Sequence, residues 1–167
     1  MKTERRTEDG GGVGCRDGLC HVRMFKPQFA PLVEAGTKCQ TVRPKPKRMP
    51  KPGDRISLRV WTGNPYRSKQ RVLRESEITA VETISLCDTG RELLVYVNGH
   101  ELHPEQINDF AKADGFKGGI EMFNWFEATH GLPFDGVVIK WHNAEVSEGG
   151  TRDSRIETAA QSRPSLH

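Results

Sequence analysis

Residues 36–43 read GTKCQTVR. Gly36 follows a stretch whose apolar spacing predicts a short helix, so the glycine stands where a helix C-cap is expected. The residues after it leave the helix in extended form, which places Thr41 and Arg43 on one face of a strand. Lys38 lies in the turn before them. The ammonium group of Lys38, the hydroxyl of Thr41 and the guanidinium of Arg43 are thereby brought together, as a site that binds an anion or a carbonyl requires.

Short strands and short helices are predicted on either side of this stretch. The predicted strands cover residues 22–25, 55–61, 71–86 (as one bent strand or two), 93–97 and 134–141, and the predicted helices cover residues 28–35, 104–113 and 120–131. Asn98-Gly99 supplies the two positive φ angles of a type I′ hairpin turn. Residues 44–54 contain four prolines and are predicted to form a loop. The pattern predicts an α+β fold, a small mixed β-barrel of five to six strands with two to three short helices.

The two ends of the chain differ in composition from its middle. Residues 1–20 and 144–167 are polar and show no sustained apolar face, so we expect flexible tails around one domain over residues 21–143. No apolar run approaches the ~18 residues of a membrane span, and the N-terminus has no secretory signal. We therefore expect a cytoplasmic protein without a membrane partner, whose oligomeric state the sequence leaves open.

Positive charge is concentrated in one part of the chain. Residues 43–74 contain eleven Lys or Arg and a single acid, Asp54, although the whole chain has a net charge of only +3. Such a segment indicates a polyanion or phosphate partner; the alternative is a solvated basic loop that aids solubility. The residues predicted to contact such a partner are Arg48, Lys51, Tyr66, Arg67 and Arg71. Trp61 either stacks a base or packs in the core, and we place Trp141 and the aromatics of the predicted helix over residues 120–131 in the core.

Cysteine usage gives a weak metal signal. The stretch Cys15-x4-Cys20-His21 contains metal-ligating residue types, but no second Cys/His pair follows at zinc-finger spacing. Cytosolic thiols are normally reduced. We therefore predict no metal and no cofactor.

The motif Gly36-x-Lys38-x-x-Thr41-x-Arg43 resembles the signature of ASCH domains, a family with a PUA-like β-barrel fold. Three further stretches are similar to that family: PGDRISL (52–58), AKADGF (111–116), and an aromatic helix followed by FDGVVIKW (134–141). The resemblance covers about residues 22–142. It implies a PUA-like barrel whose cleft is lined by the Lys/Thr/Arg segment and faces RNA or a modified nucleoside, with Gly36 and Arg43 among the binding residues.

Some small bacterial members of this family are amidohydrolases that remove the acetyl group of N4-acetylcytidine. They use a lysine and a threonine of this motif and a glutamate near a later helix. The resemblance carries these catalytic roles to Lys38, Thr41 and Asp114, where this chain has the shorter aspartate. Thr41 would then be the nucleophile and Lys38 its base, while Asp114 would orient a water or the leaving nitrogen. Arg43 suits an oxyanion or a phosphate.

Four functions remain open from the sequence. An amidohydrolase requires a small, deep cleft where the three catalytic side chains converge, and Lys38→Ala should abolish its activity with little loss of fold. A non-catalytic RNA-binding module requires a shallow basic groove and salt-dependent affinity. A ribonuclease would take its acid or base from His100, His103 or His130. A protein-interaction module built on the tails would leave the basic segment unexplained.

Overall fold

A computed structural model of the chain describes residues 19–143. In chain order the elements are β1 (Cys20–Phe25), a 3-10 turn (Pro27–Phe29), α1 (Ala30–Glu34), β2 (Gln40–Pro44), β3 (Arg55–Trp61), β4 (Gln70–Asp88), β5 (Leu93–Val97), β6 (His100–Glu101), α2 (Pro104–Ala113), α3 (Gly119–His130) and β7 (Phe134–Trp141). The described residues therefore form an α+β fold, as predicted. The predicted tails lie outside the described residues, except that Cys20 begins β1.

The seven strands form one branched, mixed sheet. Its main path runs β1-β3-β4-β5-β6, and β7 pairs with both β4 and β2. β1 is parallel to β3, while the other strand pairs are antiparallel. The 19-residue strand β4 connects both parts of the sheet, because its first half pairs with β3 and its second half with β5 and β7.

The predicted closed barrel is wrong. β1 and β2 stand at the two ends of the path β1-β3-β4-β7-β2, and no backbone ladder joins them in the part of the chain that the structure describes. A side chain bridges this opening instead: the Nη2 atom of Arg43 on β2 donates a hydrogen bond to the carbonyl oxygen of Met24 on β1 at 2.7 Å. The sheet is therefore open at this edge, where this side-chain hydrogen bond links β2 to β1.

Several local predictions are confirmed. The sequence left residues 71–86 as one strand or two, and the structure shows the single strand β4, with register shifts opposite Leu58/Arg59 and at Ile78/Ala80. Shifts of this kind increase the local bend of a strand. Asn98 and Gly99 both have positive φ, 51° and 79°, which is the type I′ geometry expected between β5 and β6.

The core is built from the alternating apolar residues of the strands and from the helices. The largest fully buried side chains include Ile56, Leu58, Ile78, Ile84, Leu86, Met122, Phe123, Phe126 and Ile139. Burying one such side chain contributes roughly 1.5–3 kcal/mol. The aromatics of α3 were predicted as core, which Phe123 and Phe126 confirm, and Trp141 is core as expected. None of the described helices combines the length and apolarity that crossing a membrane demands.

Two glycines bring the segment between α1 and β2 close to the end of α2. Gly36 has a φ of +78° and ends the helical turn, as predicted. Gly115 has a φ of +91°, and a Cβ there would lie 3.2 Å from the side chains of Leu32, Phe29 and Lys38. Glycine is therefore needed at residue 115 both for its backbone conformation and for the close approach of the Lys38 stem.

Candidate functional site

The segment before β2 is fixed to the end of α2 by backbone hydrogen bonds. The amide of Cys39 donates to the carbonyl of Ala113 at 3.1 Å, and the amide of Lys38 donates to the carbonyl of Leu32 in α1 at 3.0 Å. Asp114 is the C-cap of α2. These bonds bring Lys38 beside Asp114, although the two residues are 76 positions apart.

Lys38 and Asp114 form a buried ion pair. The Nζ atom of Lys38 donates to Oδ1 of Asp114 at 2.5 Å and also to the Asp114 backbone carbonyl. Only 3% and 4% of the two side chains is exposed. Water therefore screens this pair very little.

Burial shifts the pKa values of both partners. Loss of hydration lowers the pKa of Lys38; the negative charge of Asp114 opposes this, and the nearby positive charge of Arg43 reinforces it. Burial likewise raises the pKa of Asp114, against the attraction of Lys38 and Arg43. Both directions favour the neutral forms, because removing a charge from water penalises the charged state.

Two cations lie over aromatic rings at this site. The Nζ atom of Lys38 is 5.0 Å from the ring centroid of Phe29 and 5.5 Å from that of Phe25. The guanidinium carbon of Arg43 is 5.2 Å from the Phe25 centroid. Contacts of this length are favourable cation–π interactions, so the aromatic side chains hold both cations in place.

Arg43 keeps a donor available. Its Nη2 atom is bonded to Met24, but its buried Nε atom has no hydrogen-bond partner within residues 19–143. Burial lowers the pKa of Arg43, yet a guanidinium is so strongly basic that it stays charged. A buried, charged and incompletely bonded donor is suited to an oxygen anion.

Thr41 is the second residue of β2 and lies opposite Ile139 of β7. Its side chain is 3% exposed and lines the same cavity as Lys38, Arg43 and Asp114. Within the described residues no hydrogen bond joins Thr41 to Lys38, whose Nζ atom is bonded to Asp114.

These four side chains line one cavity of about 190 Å³. The complete lining is Met24, Phe25, Lys26, Phe29, Lys38, Thr41, Val42, Arg43, Pro44, Asp114, Phe116, Trp125, Phe126, Thr129 and His130. The cavity thus lies at the opening between β1 and β2, with α3 forming another wall. It is smaller than the ~300–1,000 Å³ of drug-sized pockets, and its volume has room for one planar ring with a small substituent.

Sequence reasoning missed the aromatic part of this lining. Phe25 and Phe29 were assigned only to local elements, and Trp125 was predicted as core. Trp125 is half-buried and packs against the core, and it also faces the cavity. The helical spacing of aromatics in α3 gave no signal that separates a ring facing a cavity from a ring facing the core, since both lie on the inner side of the helix.

The histidines proposed for a ribonuclease are separated. His130 lines the cavity, where its ring stacks on Phe126 with centroids 5.8 Å apart and planes at 29°. His100 and His103 are exposed, in β6 and just before α2, and do not line the cavity.

The remaining predicted binding residues lie outside the cavity. Arg48, Lys51, Tyr66, Arg67 and Arg71 are exposed. Gly36 does not line the cavity either, and its carbonyl accepts a hydrogen bond from Asn143 at 2.5 Å. The structure therefore brings together the three predicted catalytic residues and Arg43, and it leaves the predicted RNA contacts at the surface.

The cysteine–histidine stretch has no metal geometry where it can be described. Cys15 lies outside the described residues, and Cys20 is exposed. The Nε2 atom of His21 is 2.8 Å from Oδ2 of Asp54. No group of three potential metal ligands occurs within residues 19–143.

No family model matches the chain, and no curated protein or solved structure matches it either. The activity of the cavity must therefore be inferred from its own lining residues.

Proposed function

We propose that this chain is a PUA-like, ASCH-type hydrolase that binds a modified pyrimidine nucleoside and hydrolyses the amide of N4-acetylcytidine. The observation that carries the proposal is that Lys38, Thr41, Arg43 and Asp114 line a single cavity of about 190 Å³. The ASCH-like motif order supports it, because AKADGF supplies Asp114 and GTKCQTVR supplies the other three residues.

The size and lining of the cavity support a base-sized ligand. Phe25, Phe29 and Trp125 offer apolar rings to a planar base, and aromatic stacking does not require the base to be charged. The volume leaves room for a ring and an acetyl substituent. The sugar of such a nucleoside would point toward the opening between β1 and β2.

The first half of the reaction forms an acetyl-enzyme. The Oγ1 atom of Thr41 attacks the acetyl carbonyl carbon while Nζ of Lys38 accepts the hydroxyl proton. Lys38 must be neutral to do so, and burial lowers its pKa in that direction. The tetrahedral intermediate then collapses, the C–N bond breaks, and Lys38 returns the proton to the exocyclic nitrogen as cytidine leaves.

Water completes the cycle. A water molecule attacks the carbonyl carbon of the Thr41 ester with Lys38 again accepting a proton. The ester C–O bond then breaks, Lys38 returns that proton to Oγ1 of Thr41, and acetic acid leaves. Arg43 would stabilise the oxyanion of both tetrahedral intermediates, because its Nε donor has no partner within the described residues. Loss of one such donor typically lowers kcat by roughly 10²–10³-fold.

Asp114 acts as a positioning residue in this proposal. It holds the Lys38 amine through its carboxylate and through its backbone carbonyl. The aspartate is one methylene shorter than the glutamate of the ASCH amidohydrolases, yet its Oδ1 atom lies 2.5 Å from the amine. The shorter side chain of Asp114 therefore still reaches the amine of Lys38.

Incubation of the purified protein with N4-acetylcytidine, followed by chromatography, tests the proposal. We expect the wild type to release cytidine, Thr41→Ser to retain measurable release, and Thr41→Val to release none. Thr79→Val, at an exposed position of β4, is the matched control and should match the wild type. Release by Thr41→Val at the wild-type rate, or no release by folded wild type, would contradict the mechanism.

Lys38→Ala is a poor test of catalysis, contrary to the sequence-based expectation that it leaves the fold nearly unchanged. The side chain is buried against Asp114, and its removal leaves a buried carboxyl without its partner. The pH dependence of the wild type reports on Lys38 instead. We expect the rate to rise with pH with a midpoint below the ordinary lysine value of ~10.4, because burial lowers the pKa of this amine.

Non-catalytic RNA or nucleoside binding is the second candidate. The exposed basic residues between Arg43 and Arg74 favour it, since a surface of one sign attracts a polyanion whether or not chemistry follows. A wild type that binds the nucleoside without releasing cytidine would support this candidate. A ribonuclease has less support, because His130 is the one member of its proposed histidine set that lines the cavity.

A further inference from the structure

We propose that Trp61 and Tyr66 form a stacking platform for the nucleotide next to the one in the cavity, so that the protein takes its nucleoside within single-stranded RNA. This inference rests on the proposed function of the cavity. We call the two rings the aromatic platform. They lie at the end of β3 and in the loop that joins β3 to β4.

The aromatic platform presents an open ring face. Tyr66 is 91% exposed, the most exposed of the large apolar side chains described. Its ring centroid lies 5.3 Å from that of Trp61, with the planes tilted by 51°. Exposed aromatic rings on an ordered support bind unpaired bases by stacking, with little dependence on sequence.

The loop that carries Tyr66 is hydrogen-bonded internally. The amide of Gly63 donates to the Ser68 hydroxyl at 3.0 Å, and that hydroxyl donates to the carbonyl of Asn64 at 2.9 Å. Tyr66 itself has a φ of 62°, a left-handed conformation that a bulky residue rarely adopts. The backbone therefore directs a large ring into solvent, where it contributes little to the core.

The charge around the aromatic platform identifies the chemistry of its partner. Residues 59–74 contain five Lys or Arg and no acid. Among the described residues Arg59, Arg67 and Lys69 form no salt bridge, while Arg71 is paired with Glu34. Cations beside an exposed aromatic pair match the phosphates and bases of a single strand.

The aromatic platform and the cavity border the same short segment. Phe25 lines the cavity and pairs with Val60, the neighbour of Trp61. Lys26 lines the cavity, whereas Pro27 lines a shallow groove together with Trp61. Consecutive Cα atoms are about 3.8 Å apart, so an RNA strand that crosses residues 25–27 would touch both the cavity and the aromatic platform.

Lys26 adds a cation at this crossing. Its Nζ atom lies 5.1 Å from the ring centroid of Trp125 in the cavity wall, and its side chain is exposed. A phosphate that links a base in the cavity to a base on the aromatic platform would pass this ammonium group. A duplex would not suit the arrangement, because its bases are paired and stacked on each other.

Binding of a pyrimidine RNA hexamer with one central N4-acetylcytidine tests the inference. We expect Tyr66→Ala to raise the Kd for the hexamer by about 5- to 150-fold, the range for loss of one stacked base. Tyr66→Phe keeps the ring and should bind like the wild type. Equal binding by Tyr66→Ala and wild type, or a wild type that binds the hexamer no more tightly than the free nucleoside, would overturn the inference.

The salt dependence of hexamer binding gives a second readout. Arg67→Ala should reduce the slope of log Kd against log salt by about 0.7, the value for one phosphate contact on a single strand. Arg91→Ala is the matched control, since this exposed arginine lies in the turn after the opposite end of β4. An equal reduction in both variants would overturn the inference, because the charge effect would then be non-local.

The two proposals fail in different ways. Absence of cytidine release from the free nucleoside by the wild type contradicts the proposed chemistry of the cavity. Hexamer binding that does not respond to Tyr66→Ala contradicts the aromatic platform, whatever the cavity does with the nucleoside.

Discussion

The cavity and the basic surface segment use the same residue types in opposite environments. In the cavity Lys38 is buried and Arg43 is half-buried, both lie over aromatic rings, and both are attracted by the carboxylate of Asp114. In the segment after β2, Arg48 and Lys51 are exposed. The comparison shows that the type of a charged residue does not define its role. Burial shifts the pKa of a charged side chain, whereas an exposed side chain keeps its charge and attracts a distant anion.

The two environments also differ in energy. A buried pair such as Lys38–Asp114 loses hydration that its mutual attraction must offset. An exposed pair such as Arg71–Glu34, with about half of each side chain in solvent, is worth roughly 0–1 kcal/mol and weakens with salt. Substitutions at matched positions of the two regions therefore have very different expected effects.

The largest effect is expected at the buried pair. Lys38→Met should lower the free energy of unfolding by about 3–5 kcal/mol, because it leaves Asp114 buried without its partner. Chemical denaturation measures this. The double variant Lys38→Met/Asp114→Leu should lose less than the single variant, since it removes both charges. If Lys38→Met lowers the free energy of unfolding by less than ~1 kcal/mol, the prediction is contradicted, because burying Asp114 without its partner would then cost little.

A steric effect is expected next, where β7 supports the cavity. A Cβ at Gly136 would overlap the backbone carbonyl of Arg43 and lie within 2.9 Å of the Phe134 ring. Gly136→Ala should therefore destabilise the protein by about 1–3 kcal/mol and disturb the β2 residues that line the cavity. Gly63→Ala is the control in the surface loop, because a Cβ there meets Ser68 at 3.4 Å. Equal thermal stability of the two variants would contradict the close packing of β7 against β2.

A smaller effect is expected at the exposed ion pair. Arg71→Met should change the free energy of unfolding by less than about 1 kcal/mol. Urea denaturation at low and high salt measures both the change and its screening. A loss as large as that of Lys38→Met would contradict the contrast between the buried and the exposed pair.

The smallest effect is expected from Asp54, and it is lost in acid. The hydrogen bond from His21, with that from the Lys51 amide, lowers the pKa of Asp54 below its usual value. The stabilisation is therefore present above the unfolded pKa of ~3.9 and is lost as pH falls through the lower folded pKa. The stability difference between wild type and Asp54→Asn should shrink below about pH 4; a constant difference across that range would contradict this account.

Local elements were predictable from the sequence because local signals define them. The apolar spacing and the flanking Pro and Gly gave α2 over residues 104–113 and β7 over residues 134–141, as observed. The turn at Asn98-Gly99 was likewise predictable, because both residue types tolerate the positive φ angles that the structure shows there. Each of these features depends on neighbouring residues only.

Long-range features were not predictable in the same way. The parallel pairing of β1 with β3 and the opening between β1 and β2 arise from contacts between distant segments. The motif resemblance pointed to Lys38 and Asp114, but the sequence carried no signal for their burial or for Trp125 in the cavity wall. These depend on how the helices pack on the sheet, which residue spacing does not encode.

A crystal structure of Thr41→Val with N4-acetylcytidine bound would test the central claim most directly. The account predicts the base among Phe25, Phe29 and Trp125, with the acetyl carbonyl carbon next to residue 41 and the Lys38–Asp114 pair intact. A nucleoside bound outside an empty cavity, on the aromatic platform or elsewhere on the surface, would contradict it.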